Sequence, residues 1–157
     1  MNSEEIAPAL GRVPSGLFVI TYLANEVEQA MLASWIQQCS FEPPMISVAV
    51  KQGRGLADWL PDGAEFMVNV LAEGQTDLVS HFGKGQPLDQ LPDHEKRLRR
   101  SPGFAPVLTD ALSVLHCQVT GRSTPGDHHL FFARILSGAQ QGEARPWIHV
   151  RKNGLKY

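Results

Sequence analysis

The stretch from Ala30 to Gly55 limits the fold most: A-M-L-A-S-W-I-Q-Q-C-S-F-E-P-P-M-I-S-V-A-V-K-Q-G-R-G. Pro43-Pro44 cannot lie in a central strand, because proline offers no ladder donor and fixes its own φ. The pair therefore makes a corner. Before it, a small-residue, weakly polar strand is expected from Val27 to Gln37, and after it a fully apolar, buried strand from Met45 to Val50. On the first strand, period-two alternation puts Gln29, Met31, Ala33 and Trp35 on one face and Ala30, Leu32, Ser34 and Ile36 on the other. Small residues at 30, 33 and 34 admit either close packing of a neighbouring strand or a flat ligand. The apolar strand ends in Lys51-Gln-Gly-Arg54-Gly, followed by a helix-like run from Leu56 to Leu60.

The rest of the chain reads as short strands and shorter helices. Asn2 to Leu10 suits a helix with Ser3 as N-cap and Glu4 and Glu5 in the first turn. Strands are expected at Leu17 to Leu23, Glu65 to Leu71, Ala111 to Gly121, His128 to Leu136 and Trp147 to Arg151. A helix is expected from Glu73 to Phe82, with Leu78, Val79 and Phe82 on one face. Gly83 to Pro106 is irregular, rich in Gly and Pro, and long enough to suggest a flap over a site or a partner subunit. Short antiparallel strands at this turn density point to one mainly β domain over residues 1–157, a closed or nearly closed barrel with a few short helices.

Composition excludes several function classes. A formal net charge of -2 leaves no basic field for nucleic acid. The run Lys96-Arg97-Leu98-Arg99-Arg100 follows Asp89, Asp93 and Glu95, so a salt-paired, solvated segment is expected there. No apolar run is long enough to cross a membrane, and Met1 to Ala9 does not resemble a leader, so a cytoplasmic protein is expected. Cys39 and Cys117 lack a C-x-x-C partner and are expected as free, mostly buried thiols. The six His residues are scattered without metal-binding spacing, so no metal is expected. Neither G-x-S-x-G nor G-x-G-x-x-G occurs, which leaves ester hydrolysis and a Rossmann dinucleotide fold without support.

Three segments could carry chemistry. Lys51 and Arg54, between glycines and ahead of a helix, suit a phosphate, or are surface cations beside a helix. Gly126-Asp127-His128 is either hairpin turn chemistry or a histidine at a strand mouth reaching a ligand, with His129 on the opposite face. The closing H-V-R-K-N-G-L-K-Y is a solubilising tail or a segment that covers the site.

Four motifs in order resemble the flavin reductase-like, FMN-binding split-barrel family. Pro14 to Thr21 is similar to its opening strand. Met31-Leu32-Ala33-Ser34-Trp35 with Ser40-Phe41-Glu42-Pro43-Pro44 resembles its M-T-x-S-x … S-x-x-P-P signature. Phe66 to Leu71 resembles F-x-V-N-V-L, and Gly126-Asp127-His128 resembles G-D-H. The closing P-W-I-H-V-R-K-N-G-L-K-Y is most similar to the reductase domain of cyanobacterial flavodiiron proteins. Leu32 departs from the family's Thr, and Arg134 from a frequent Gly.

The resemblance implies a six-stranded antiparallel split β-barrel, a homodimer, and FMN near the subunit interface, with FAD or riboflavin as other candidates. It implies that Met31, Leu32, Ala33, Ser34 and Trp35 line the isoalloxazine ring and that Lys51, Gly53, Arg54 and Gly55 bind the ribityl phosphate. Ser40 and Phe82 complete the residues assigned to the cofactor, and His128 is the one assigned to catalysis. The implied activity is an NAD(P)H:flavin oxidoreductase, with NADH or NADPH giving hydride from nicotinamide C4 to flavin N5. Two other readings share the barrel: an electron-transfer module without a nicotinamide site, and a pyridoxamine phosphate oxidase-like enzyme. If the flavodiiron likeness holds, the expectation is a stand-alone relative without diiron or flavodoxin modules, passing electrons to an unknown acceptor.

Overall fold

The computed structural model describes residues 3–156. Its chain order is α1 (Ser3–Gly11), β1 (Phe18–Ala24), β2 (Val27–Ala33), β3 (Ile36–Ser40), β4 (Met45–Lys51), α2 (Gly55–Trp59), β5 (Glu65–Val70), α3 (Thr76–Gly83), α4 (His94–Arg97), β6 (Leu98–Arg99), β7 (Val107–Leu108), β8 (Ser113–Ser123) and β9 (His128–Gln140), with a single 3-10 turn at Leu88–Gln90. Seven strands form one sheet in the order β2-β1-β5-β8-β9-β4-β3, all neighbours antiparallel, and β6-β7 is a separate two-stranded ribbon.

The expected six-stranded split barrel is therefore corrected to a seven-stranded sheet, with no closed barrel among the described residues. The extra strand arises because the expected strand from Val27 to Gln37 breaks at Ser34-Trp35. Its two halves, β2 and β3, lie at opposite edges of the sheet. Those edges are joined by only two residues. Three Cα steps span at most about 11 Å, so the sheet must curl until its edges nearly meet. No β2–β3 ladder bridges that seam among the described residues.

Curling gives the sheet an inside. Ile20 and Tyr22 of β1, Val48 and Val50 of β4, Phe66 and Val68 of β5, Cys117 and Val119 of β8, and Phe131 and Ala133 of β9 meet in one buried cluster, closed by Leu56 and Leu60 around α2. Each is the alternate residue of its strand, as a pleat requires. The β1–β2 hairpin turns on Asn25 and Glu26, with φ of 49° and 65°. Two positive φ values are what a two-residue hairpin matching the strand twist needs.

The outer face is also covered. Leu17 and Val19, Met67, Val114, Leu78 and Phe82 of α3, and Leu88, Leu91, Leu98, Val107 and Leu108 form a second buried cluster. The 83–106 segment is thus not a free flap: its leucines pack on the outer face of the sheet. It is also salt-paired. Arg97 donates to Asp77 at 2.7 Å and to Asp110 at 2.6 Å, and Arg100 pairs with Glu28 at 2.8 Å.

Two buried polar side chains fasten this cover. Thr21 and Asn69 are both fully buried. The Asn69 amide donates to the Val19 carbonyl at 2.9 Å, and its carbonyl oxygen accepts from the Leu108 N–H at 2.8 Å. The Thr21 hydroxyl donates to the Pro106 carbonyl. Asparagine serves here because one planar group holds a donor and an acceptor in fixed relation.

Other expectations shift. The expected terminal strand at Trp147 to Arg151 is not a strand. It makes one bridge, Ser15 to His149, because it meets the irregular 11–15 segment instead of another strand. The chain before it bridges once more, through Pro146 to Ala72. Helix α1 begins at Ser3 and passes through Pro8, and Asn2 lies outside the described residues. Strands β8 and β9 run on to Ser123 and Gln140, past the expected ends at Gly121 and Leu136. Cys117 is buried, and burial pushes its thiol up to about 12, whereas Cys39 is exposed on the edge strand β3. No helix among the described residues is long and apolar enough to cross a membrane.

Removing the Asn69 amide leaves the buried Leu108 N–H without its side-chain acceptor and takes a donor from the Val19 carbonyl and the Thr21 hydroxyl. Asn69→Leu is expected to lower unfolding free energy by about 2–3 kcal/mol, measured by urea denaturation. Thr21→Val should cost less, since it removes the donor to the Pro106 carbonyl and only a long, 3.4 Å acceptor for the Asn69 amide. A loss below about 0.5 kcal/mol for Asn69→Leu would contradict the fastening role.

Candidate functional site

Part of the sequence-predicted set, Ser34, Trp35, Lys51 and His128, comes together at one end of the sheet, around the Ser34-Trp35 link. The Trp35 carbonyl accepts from the Ala49 N–H at 2.9 Å, which ties the link to β4. Two residues further, Lys51 ends β4 directly opposite His128, the first residue of β9. The β8–β9 turn is pinned to the same place. The Gln52 N–H donates to the Asp127 carbonyl at 3.0 Å, and its side-chain amide donates to the Gly126 carbonyl at 3.1 Å.

His128 sits between two partners. Its Nδ1 is 2.7 Å from Asp127 Oδ1, and its ring centroid is 4.8 Å from the Trp35 ring at a 41° tilt. The imidazole is 15% exposed although Asp127 is 76% exposed, so the indole shields it. The hydrogen bond from His128, then the positive charges of His128 and Lys51, hold the Asp127 carboxyl below the usual carboxylate range. His129 turns away, with its Nδ1 2.8 Å from the Thr124 hydroxyl, as strand alternation requires.

After β4 the chain makes a turn closed by the Arg54 N–H on the Lys51 carbonyl at 3.2 Å. Gly53 occupies it with φ of +77°, a conformation that favours glycine, and a Cβ there would meet nothing within 4 Å. Lys51, Gly53, Arg54 and Gly55 are all exposed. Gly55 starts α2 beside the Tyr22 hydroxyl, whose ionisation is pushed up by burial and by Asp58.

The sequence did not single out Arg151. From the C-terminal arm its guanidinium donates to the Ser34 hydroxyl and lies 5.0 Å from the Trp35 ring centroid. The arm is docked by backbone bonds: Ser15 and His149 exchange two, at 2.9 and 2.7 Å. Arg151 donates to the Gly11 carbonyl at 2.9 Å, and Gly154 to the Ala7 carbonyl at 2.7 Å. Only the cation at the second position past His149, in a segment that could cover a site, hinted at this role.

Other predicted residues are placed apart. Met31 and Ala33 face the inner cluster, while Leu32 packs outward with Phe82, which is 4% exposed. Ser40 lies at the far end of β3, paired with Met45 at the opposite end of β4 from Lys51. A concavity of about 560 Å³ lies elsewhere, lined by Tyr22, Phe66, Met67, Phe104 and the Glu65–His116 pair at 2.7 Å, and by none of the predicted residues.

A sequence profile of the flavin reductase like domain matches residues 10–154. The chain belongs to the flavin reductase-like domain family. It is 35% identical, over 98% of its length, to diflavin flavoprotein A 1 of Synechocystis sp., and spans 27% of that protein. It superposes on the styrene monooxygenase flavin reductase of Pseudomonas putida S12 with a TM-score of 0.77 and 25% identity, covering 91% of this chain and 90% of that one. The NADH:FAD oxidoreductase SgcE6 of Streptomyces globisporus C-1027, solved with NAD and FAD fragments, has the same fold. Its TM-score is 0.75 at 21% identity, over 95% of this chain and 88% of that one. Family membership supports a flavin-binding oxidoreductase of the flavin reductase type.

Burial, then the charge of Arg151, pushes the His149 imidazole below its ordinary 6.5. The unfolded chain therefore binds more protons than the folded one below that pH. Arm docking is fully supported above about pH 6.5 and weakens as pH falls toward the lowered value. Amide exchange at His149 and Arg151, corrected for intrinsic rates, should show more opening at pH 5.5 than at 7.5. In His149→Asn the pH dependence should vanish, and its persistence would reassign it.

Proposed function

We propose that the chain is an FMN-binding NAD(P)H:flavin oxidoreductase whose cofactor site is the rim around Ser34-Trp35, Lys51–Gly55 and His128. The observation that carries this reading is convergence: motifs separated by about a hundred residues meet where Lys51 pairs with His128 and Trp35 covers the imidazole. The residues fit a phosphorylated flavin. Lys51 and Arg54 offer exposed cations around a glycine turn with open space, suited to a phosphate. Ser34 and the backbone of the link offer polar contacts beside small side chains, suited to a flat ring edge. Phe82 and Leu32 would support the link from behind, since both are spent on packing.

When bound, flavin supplies the acceptance of hydride at N5 from nicotinamide C4. The chain's own residues do the rest. His128, held through Nδ1 by Asp127, presents its imidazole at the strand mouth, where it can orient a nicotinamide carboxamide or hold a proton. Trp35 shields that imidazole from water. NAD in the SgcE6 complex supports a nicotinamide donor by likeness of fold.

Titration with FMN, followed by flavin fluorescence, tests the site. A Lys51→Ala/Arg54→Ala variant should bind FMN about tenfold or more weakly while riboflavin, which lacks the phosphate, binds it and wild type alike. Equal FMN affinity in both proteins would remove the phosphate assignment. His128→Gln should keep FMN affinity within about twofold and slow reduction by NAD(P)H about 10²-fold. Unchanged reduction would leave His128 with a structural role only.

A further inference from the structure

We infer that Arg151 is a positioning residue: it holds the Ser34-Trp35 link in the geometry that lays the indole against His128, and so governs how that imidazole meets a planar ring. The inference rests on the proposed site only for its functional consequence. Its structural part stands by itself.

The geometry is a stack in sequence. The Arg151 guanidinium lies 5.0 Å from the centroid of Trp35, and the Trp35 ring is 4.8 Å from the imidazole. The same guanidinium donates to the Ser34 hydroxyl, so one cation fixes both residues of the link. Neither residue of the link belongs to a strand, so side-chain contacts of this kind help set the indole's χ1 and χ2. A guanidinium suits the task because its planar fork can stack on an indole and donate in its own plane at once. A lysine could do only part of this.

The arm that carries Arg151 is built to deliver it. Its N–H is bonded to the Gly11 carbonyl, and a Cβ at Gly11 would lie 2.4 Å from the Arg151 carbonyl oxygen. A Cβ at Gly154 would lie 2.3 Å from that of Leu10. Two glycines thus let the arm lie directly on α1 and its exit, which sets the height from which Arg151 reaches the link.

Trp35 is in contact with both Arg151 and His128, yet 38% of it is exposed. A planar ring that approaches His128 therefore meets the indole first. Either it lies beside the indole edge or it displaces the indole, and in both cases Arg151 sets the resistance.

The test follows the His128 ring protons by NMR in the full chain without added ligand, in wild type, Trp35→Leu, Arg151→Met, Arg151→Lys and Ser34→Ala. Trp35→Leu removes the indole ring current and marks the unstacked shift. Arg151→Met is expected to move the His128 signals more than halfway to that mark, Arg151→Lys less, and Ser34→Ala less again in the same direction. The Gly154 amide should remain protected throughout, which shows that the arm is still docked. His128 signals unmoved by Arg151→Met, with Trp35→Leu moving them, would overturn the inference. So would a shift seen only when Gly154 loses protection, with Ser34→Ala silent, since that is arm loss and not positioning. FMN titration of the same proteins separates the two readings. If wild type binds no flavin while the shifts follow the expected order, the proposed function fails and the positioning role stands.

Discussion

Two residues, Ser34 and Trp35, join the opposite edges of a seven-stranded sheet, and the architecture follows from that shortness. A flat or gently twisted sheet of seven strands would hold its edges about 29 Å apart at about 4.8 Å per strand spacing. A two-residue link cannot span that distance, so the sheet curls and its alternate side chains meet in one interior cluster. Among the described residues no β2–β3 ladder covers the link across the seam, although the Trp35 carbonyl is bonded to β4. The link remains at the rim, where His128 and Arg151, far apart in the chain, reach it.

Closure at the rim and cover on the outside are separate tasks with separate solutions. Outside, leucines of the 83–106 segment supply apolar burial, and Asn69 with Thr21 supplies direction by hydrogen bonds. At the rim, charged and polar groups come together: Lys51 ends β4 opposite His128 and acts on Asp127, and Arg151 contacts Trp35 and Ser34. Such a surface suits an anionic, planar ligand better than an apolar one.

Most strands were legible in the sequence because their apolar residues alternate and their turns carry Gly, Pro, Asn or Asp. The break at Ser34-Trp35 was not. Alternation continues through residues 33–36 without a glycine or proline, and only the pairing partners far along the chain decide where the strand ends. The cover was missed because Leu88, Leu91 and Leu98 follow no single period and pack through tertiary contact. Trp147 to Arg151 has a strand's alternation but no strand to pair with. Of the site, Lys51 and His128 were legible as motifs, the resemblance assigning the first to the cofactor phosphate and the second to catalysis. Arg151 was not, because its partner Ser34 lies 117 residues away and no local pattern marks the contact. Ser40, assigned from its signature, is carried by strand geometry to the other end of β4.

The central claim is that this rim holds a flavin that a nicotinamide can reduce. The most direct measurement is the visible spectrum of the FMN-loaded protein, mixed anaerobically with NADPH and, separately, NADH. The account predicts that the oxidised-flavin bands bleach rapidly with at least one nucleotide. Bound flavin that neither nucleotide bleaches, while dithionite does, would contradict it.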